Sequence, residues 1–181
     1  MDNRSVKTYK YDTNVIINQG AYVGNYAYGG GLGKEDDKLL GSGDVYGTTY
    51  IALLGGRVNK DIYAAGTLGA VRNTLGGDFT ASANAYIAGG TLRNVYGGGW
   101  KGDVGVHELT TNETTDDVPG ETNVVIGIRP DQADDDKLAE IRKVKGPSAT
   151  LSDYGFLCGV PAIQRNAYSG GEGGAVFGTA N

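Results

Sequence analysis

Short apolar runs with alternating or β-branched residues recur along the chain, and glycine follows each of them. They span residues 13–18, 49–54, 83–88 and 122–127. A run of this length and composition, bounded by turn residues, predicts a β-strand. A step that carries one apolar residue follows the glycines, and these residues are Val58, Leu92 and Ile163.

A tyrosine element and then a Gly-x-Val run complete each unit. The tyrosine element is fullest at residues 94–99, and its tyrosine recurs at positions 28, 63, 96 and 168. The period is about 34 residues, which is typical of solenoids and propellers. The last interval is about two periods long, which indicates an insertion. One repeat is therefore predicted to hold about three short strands separated by glycine turns.

The predicted insertion spans residues 130–160 and contains a short helix near 134–145. Three aspartates open this stretch and supply an N-cap and an acidic first turn. Leu138, Ile141 and Val144 follow at helical spacing, and Gly146 and Pro147 end the run. A second interruption at residues 107–119 is rich in Thr, Asn, Asp and Glu, and we interpret it as an exposed loop.

Glycine at this density disfavours helical repeats of similar length, because each glycine costs about 1 kcal/mol relative to alanine in a helix. We therefore predict an all-β fold, a β-solenoid (parallel β-helix) of about four repeats, with equivalent strands stacked about 4.8 Å apart. A closed β-propeller with four strands per blade fits poorly. Two interior columns are predicted, one of Val15, Ile51, Ala85 and Val124, the other of Ile17, Leu53, Ile87 and Ile126.

Four segments follow from this pattern. Residues 1–12 are an N-terminal extension or partial repeat, 13–129 the solenoid repeats, 130–160 the insertion, and 161–181 a final, incomplete repeat. The N-terminus has no apolar signal core. Because the chain stops partway through a repeat, we expect a piece of a longer protein.

Composition narrows the class of protein. The 32 glycines and 12 tyrosines, against 3 phenylalanines, indicate strands rather than a two-layer globular core. The net charge of −5 and the lack of a basic cluster argue against nucleic acid as a partner. Cys158 is the single cysteine, so internal disulfides and zinc-ligand spacing are absent from the sequence. No apolar run approaches the length of a membrane span.

The order Tyr-Gly-Gly-Gly, Gly-x-Val and Gly-x-Thr-x-Val-x-Ile resembles the repeats of very large secreted surface proteins of gut bacteria. Those proteins resemble autotransporter-type adhesins with a parallel β-helix passenger. The resemblance covers residues 13–128 and 162–181, and Ala64-Ala65 and the helical insertion depart from it. It implies an extracellular or cell-surface stalk or adhesive module, with no catalytic residues to carry over.

The candidate ligand-binding residues are aromatic. In a solenoid Tyr28, Tyr63, Tyr96 and Tyr168 would stack on successive coils, with Trp100 close to Tyr96. An exposed row of ring faces suits sugar rings, and the alternative is a ladder that packs against itself. Trp100 has no counterpart in the other repeats, where Leu32, Thr67 and Glu172 take its place.

Other chemistries are poorly matched by the sequence. Residues 29–34 look like a phosphate loop, but Tyr28 and Glu35 stand where that motif needs glycine and Ser or Thr. Acidic runs suggest calcium, yet no calcium-binding motif is present, and we predict no cofactor and no metal site. His107 and Cys158 have no motif around them that would indicate a nucleophile and its base.

These observations favour a non-catalytic structural or adhesive repeat module of an extracellular bacterial surface or fibre-forming protein. Its expected partners are itself, neighbouring repeats of a longer chain, and surface glycans, with no membrane insertion. The alternatives are a carbohydrate-active enzyme, with Lys101, Asp103 and Asp44 on neighbouring coils, and a trimeric phage tailspike-like glycan-binding protein.

Overall fold

Short strands separated by glycine turns make up the chain in the computed structural model, which describes residues 10–34, 42–73, 77–109, 115–127, 147–148 and 161–181. Seventeen strands and no helix lie within these ranges. The strands are β1 (Thr13–Ile17), β2 (Tyr22–Val23), β3 (Ala27–Tyr28), β4 (Val45–Tyr46), β5 (Thr48–Leu53), β6 (Arg57–Val58), β7 (Ile62–Tyr63), β8 (Val71–Arg72), β9 (Ala81–Ile87), β10 (Thr91–Leu92), β11 (Val95–Tyr96), β12 (Val106–Leu109), β13 (Thr115–Val118), β14 (Gly120–Ile126), β15 (Ala162–Ile163), β16 (Ala167–Tyr168) and β17 (Gly178–Ala180).

Three parallel sheets repeat one strand order. The first runs β1-β5-β9-β14-β17, the second β2-β6-β10-β15 and the third β3-β7-β11-β16. We call strands with equal positions in these orders a layer, so that layer one holds β1, β2 and β3. Layer two holds β5 to β7, layer three β9 to β11, and layer four β14 to β16. A fourth column joins β4, β8 and single bridges at Val104 and Val176.

The all-β, parallel character of the prediction is confirmed, and the arrangement is that of a β-solenoid-like fold. The predicted helix near 134–145 lies outside the described residues, as does most of the predicted insertion. The count of about four repeats stays a prediction. Within the described ranges, the structure contains no helix long and apolar enough to cross a membrane.

Both predicted interior columns have the expected register. Val15 pairs with Ile51, Ile51 with Ala85, and Ala85 with Val124. Ile17, Leu53, Ile87 and Ile126 form the second column in the same way. The members in layers two and three are buried, whereas Ile126 in layer four is 46% exposed. Val58 in β6 and Leu92 in β10 are each the single apolar residue of their second-sheet strand, and both are buried.

A stack of glycines makes the corner after the long strands. Gly20, Gly56 and Gly90 have φ angles of 83°, 73° and 76°, a region that side chains with a Cβ rarely adopt. Arg57 N–H donates to the Ala21 carbonyl of layer one, and Thr91 N–H donates to the Gly56 carbonyl. Glycine recurs at this position because each layer makes the same turn, with a positive φ angle, directly after its first-sheet strand.

Paired glycines form a narrow neck at another corner of each layer. The pairs are Gly31 with Gly43, Gly66 with Gly69, Gly99 with Gly102, and Gly171 with Gly174. A Cβ on the first member of each pair would overlap the carbonyl oxygen of the second. The two sides of the neck are therefore in backbone contact in every layer.

One sequence interpretation was wrong. The stretch at residues 107–119 was expected to be an exposed loop, but β12 and β13 form an antiparallel pair there. Its register runs from Val106 opposite Val118 to Leu109 opposite Thr115. Val106 and Val118 are buried, so this hairpin is anchored to the body of the fold at its base.

Candidate functional site

The four predicted tyrosines form one continuous stack, which we call the tyrosine ladder. Their rings are separated by 5.0 Å between Tyr28 and Tyr63, 4.8 Å between Tyr63 and Tyr96, and 4.9 Å between Tyr96 and Tyr168. The interplanar angles are 10°, 6° and 16°. The third sheet sets this geometry, because its parallel register places each tyrosine directly over the next.

Both ring faces of the inner tyrosines are covered by their neighbours. Tyr63 is 1% exposed and Tyr96 9%, whereas Tyr168 is 44% exposed. Tyr63 and Tyr96 therefore have no ring face left for a sugar, and in these two the ladder packs against itself. Ligand binding by Tyr28 and Tyr168, at the ends of the ladder, stays a prediction.

Polar groups at the rim of the ladder hold its hydroxyls. Tyr63 Oη donates to Glu172 Oε2, although Glu172 belongs to layer four. Burial raises the pKa of Tyr63, and the bond to the carboxylate raises it further. Burial also raises the pKa of Tyr96, and it raises the pKa of Tyr28 despite a hydrogen bond with Thr67. Because the pKa of each is raised, Tyr28, Tyr63 and Tyr96 are neutral at physiological pH.

A polar column, buried at Asp61 and Asn94 and exposed at Asn166, runs beside the ladder, and we call it the asparagine column. Asp61, Asn94 and Asn166 occupy the residue before the third-sheet strand in layers two, three and four. Asp61 Oδ1 accepts from Asn94 N at 3.1 Å and from Asn94 Nδ2 at 2.8 Å. Asn94 Oδ1 accepts from Asn166 N at 3.1 Å. Asp61 and Asn94 thus each accept hydrogen bonds from backbone and side-chain donors of the next layer.

Arg93 closes the acidic end of this column. Its Nε donates to Asp61 Oδ1 at 2.8 Å, and its Nη2 donates to Asp61 Oδ2, which gives a two-pronged ion pair. Asp61 is 1% exposed. Burial alone would raise the pKa of Asp61, but the Arg93 and Asn94 hydrogen bonds and the guanidinium charge outweigh it, so the pKa is lowered. The carboxylate stays ionised inside the fold.

Threonine hydroxyls link the first sheet to the third. Thr13 Oγ1 donates to Gly29 O at 2.5 Å, Thr49 Oγ1 to Ala64 O at 2.6 Å, and Thr122 Oγ1 to Ser169 O at 2.5 Å. Each link crosses the interior within one layer. The links hold the ladder strands at a fixed distance from the long strands.

Trp100 lies outside the ladder, on the exposed side of the glycine neck. Its indole is 40% exposed, and Lys101 Nζ lies 5.2 Å from the ring centroid. Backbone bonds show that Leu32, Thr67, Trp100 and Glu172 are equivalent positions, as the sequence comparison predicted. Trp100 is therefore a member of the predicted site with an exposed side chain that is not part of the ladder.

The carboxylates proposed for an enzyme are engaged with the backbone. Asp44 Oδ1 accepts from Ala70 N at 2.9 Å, and Asp103 Oδ1 accepts from Ala175 N at 2.7 Å. Asp44 and Asp103 were expected on neighbouring coils, but Ala70 of layer two lies between them. In the described residues, no three His, Cys, Asp or Glu side chains come together in a metal-binding group.

The first two amides of the glycine loop at 29–34 donate to carbonyls of the next layer. Gly29 N–H donates to the Tyr63 carbonyl at 2.9 Å, and Gly30 N–H donates to the Ala65 carbonyl at 3.2 Å. Amides engaged in this way cannot converge on a phosphate. The geometry agrees with the rejection of a phosphate loop on sequence grounds.

The asparagine column and the link from Tyr63 to Glu172 were missed in the sequence analysis. Asp61 stands next to Lys60 and looks like a solvated charge. A signal was present, since Asp or Asn precedes the apolar-tyrosine pair at 61, 94 and 166. No sequence feature indicates that Glu172 reaches back two layers.

No family model matches the chain, and neither the curated proteins nor the solved structures contain a match.

Proposed function

We propose that this chain is a non-catalytic structural module of an extracellular bacterial surface or fibre-forming protein, built as a β-solenoid of about four repeats. The observation that carries the proposal is the tyrosine ladder with both faces of its inner rings covered. Aromatic rings in a binding site keep a face for the ligand, whereas these rings are used between layers. Cohesion between layers is the property that a stalk needs.

The asparagine column and the threonine links support the same role. Asp61, Asn94 and Asn166 connect layers two, three and four, and the threonine links brace each layer internally. The candidate catalytic carboxylates Asp44 and Asp103 serve as backbone acceptors. The polar groups of the described residues thus act mainly within the fold.

Immunogold labelling of intact source cells, with an antibody raised against this chain, tests the proposal. We expect gold particles on the outer surface or along fibres, and none after protease shaving of the cells. Labelling confined to the interior of permeabilised cells would contradict the proposal. So would turnover of a polysaccharide by the purified chain.

A second candidate function is adhesion to surface glycans at Trp100, and the exposed indole beside Lys101 favours it. An indole face that is open to solvent can stack on a sugar ring. A glycan array should give signals with the unaltered chain that disappear in Trp100→Ala and persist in Tyr22→Ala, a more exposed aromatic residue of the second sheet. Signals that survive Trp100→Ala would place the contact elsewhere.

A further inference from the structure

The ring of Tyr63 lies between two electron-rich surfaces. The rings of Tyr28 and Tyr96 lie nearly parallel to it, one on each face, with centroids 5.0 Å and 4.8 Å away. The face of an aromatic ring carries negative charge and attracts positive charge. A Tyr63 ring that loses an electron is therefore stabilised from both sides, in a position where the residue is 1% exposed.

A proton acceptor is already in place at the Tyr63 hydroxyl. Tyr63 Oη donates to Glu172 Oε2. A phenol that has lost an electron is a strong acid, and keeping its proton would leave a positive charge buried in the fold. Transfer of the proton to a carboxylate within hydrogen-bond reach leaves a neutral phenoxyl radical and a neutral carboxylic acid. The hydroxyl of Tyr28 is bonded instead to Thr67, whose side chain is a far weaker base.

Tyr26 provides a route from the surface to this ring. Tyr26 is 38% exposed, and its ring centroid lies 6.2 Å from that of Tyr63. Lys60 Nζ lies 4.8 Å from the centroid of the Tyr26 ring, and the positively charged Arg93 also interacts with this side chain. Positive charges beside Tyr26 disfavour a positive ring there, whereas the Glu172 carboxylate favours the loss of an electron from Tyr63.

We propose that Tyr63 is a one-electron oxidation site, at which a tyrosyl radical forms with Glu172 as the proton acceptor. A soluble one-electron oxidant takes an electron from Tyr26 and is itself reduced by one electron. The Tyr26 ring then takes an electron from Tyr63 and is restored. At Tyr63 the Oη–H bond breaks, and the proton forms an O–H bond with Glu172 Oε2. The inference goes beyond the structural function and does not depend on where the chain is located.

The surroundings of Tyr63 protect the radical once it has formed. Both faces of the ring are covered by ladder neighbours, and the exclusion of water from a buried site prevents side reactions of a reactive intermediate. A radical on Tyr22, which is 67% exposed, has no such protection and reacts when two chains meet. The radical at Tyr63 should therefore be distinguished from radicals at exposed tyrosines by its lifetime.

Flash photolysis of the 181-residue chain with tris(bipyridine)ruthenium(II) and a cobalt(III) quencher tests the site, because the flash produces a ruthenium(III) oxidant. We expect a long-lived tyrosyl radical in the electron paramagnetic resonance spectrum. The signal should be lost in Tyr63→Phe, which keeps the stacked ring and removes the hydroxyl. It should persist in Tyr96→Phe, the matched variant of a buried ladder residue, and in Tyr22→Phe. Circular dichroism should show that each variant is folded.

The proton acceptor and the route are tested by the rate at which the long-lived radical forms. Glu172→Gln keeps the shape of the side chain but removes the base. It should slow formation about a hundredfold, because a positioned base contributes roughly 10²–10⁴-fold. Tyr26→Phe should also slow formation, since it removes the exposed ring that is oxidised first. In the unaltered chain D₂O should slow formation, because an O–H bond breaks in the step.

Several results would overturn the proposal. These are the absence of a long-lived radical in the unaltered chain, a signal that survives Tyr63→Phe, and a signal that Tyr96→Phe removes equally. Equal rates in the unaltered chain and Glu172→Gln would exclude Glu172 as the acceptor, and equal rates in Tyr26→Phe would exclude the route. Equal rates in H₂O and D₂O would exclude the proton transfer without the use of any variant.

Discussion

Residues at equivalent positions are buried in layers two and three but half exposed in layer four. Leu53 and Ile87 are 0% exposed, while Ile126 in the same column is 46% exposed. Tyr63 is 1% exposed and Tyr168 44%. The residue types are alike and the register is the same, so the difference comes from having a layer on each side. In this fold a residue is stabilised by its neighbours in the next layers more than by its own strand.

The largest expected effect is in the second interior column. Leu53→Ala should lower the free energy of unfolding by about 2–5 kcal/mol, because it removes a fully buried side chain from between two layers. Ile126→Ala should cost under about 1 kcal/mol, since its side chain is half exposed. Urea denaturation of both variants checks this. Equal losses would show that layer position does not govern the contribution.

The asparagine column gives the next effect. Asp61→Ala should cost about 2–3 kcal/mol, because the Arg93 and Asn94 donors lose their acceptor inside the fold. Asn166→Ala, at the layer-four end of the column, should cost less than about 1 kcal/mol. Thermal unfolding followed by circular dichroism measures both. A larger loss for Asn166→Ala would contradict the comparison.

The contribution of Asp61 to folding stability should depend on pH. The folded-state pKa of Asp61 lies below its ordinary value of 3.8, so its contribution is present above pH 3.8 and is lost as the pH falls through the folded-state pKa. Stability measured by urea denaturation should fall over that acidic range in the unaltered chain. Asp61→Asn should start lower and show a smaller fall. An unchanged acid profile in Asp61→Asn would remove Asp61 as the cause.

The tyrosine ladder gives a smaller effect. Tyr96→Leu removes two stacked pairs, whereas Tyr168→Leu removes one, and each pair contributes about 0.5–1.5 kcal/mol beyond its buried area. We expect Tyr96→Leu to cost about 1 kcal/mol more than Tyr168→Leu in guanidinium unfolding. The opposite order would mean that stacking between layers is not what stabilises the ladder.

The smallest effect concerns the threonine links. Thr49→Val keeps the shape of a buried side chain but removes the hydroxyl that donates to Ala64 O, and should cost about 1 kcal/mol. Thr13→Val removes the equivalent bond in layer one, where water can replace it, and should cost about half as much. Calorimetry of the two variants decides between these values, and a larger loss for Thr13→Val would contradict the idea.

The sequence pattern predicted the stacking well because equivalent residues of successive repeats lie directly over one another. The register of Val15, Ile51, Ala85 and Val124 follows from aligning equivalent runs, and the parallel sheets follow from that register. The ladder could be placed for the same reason.

What was missed depends on where side chains point after stacking. Asp61 is charged and sits beside Lys60, so only the structure shows it 1% exposed against Arg93 and Asn94. The reach of Glu172 to Tyr63 spans two layers and follows from rotamers that no periodicity encodes. The sequence of β12 and β13 looks like a loop because it is polar apart from Val106, Leu109 and Val118.

The glycine necks have a consequence for how such a chain can change. Two residues separate the paired glycines in layers two and three, whereas 11 residues separate Gly31 and Gly43 in layer one. The backbone contact between the paired glycines is the same in each case, so it does not depend on the number of residues between them. Lengthening such a segment costs little conformational entropy per added residue. Each pair of glycines is thus a site at which new sequence, evolved or grafted, can be inserted while the stacked strands stay unchanged.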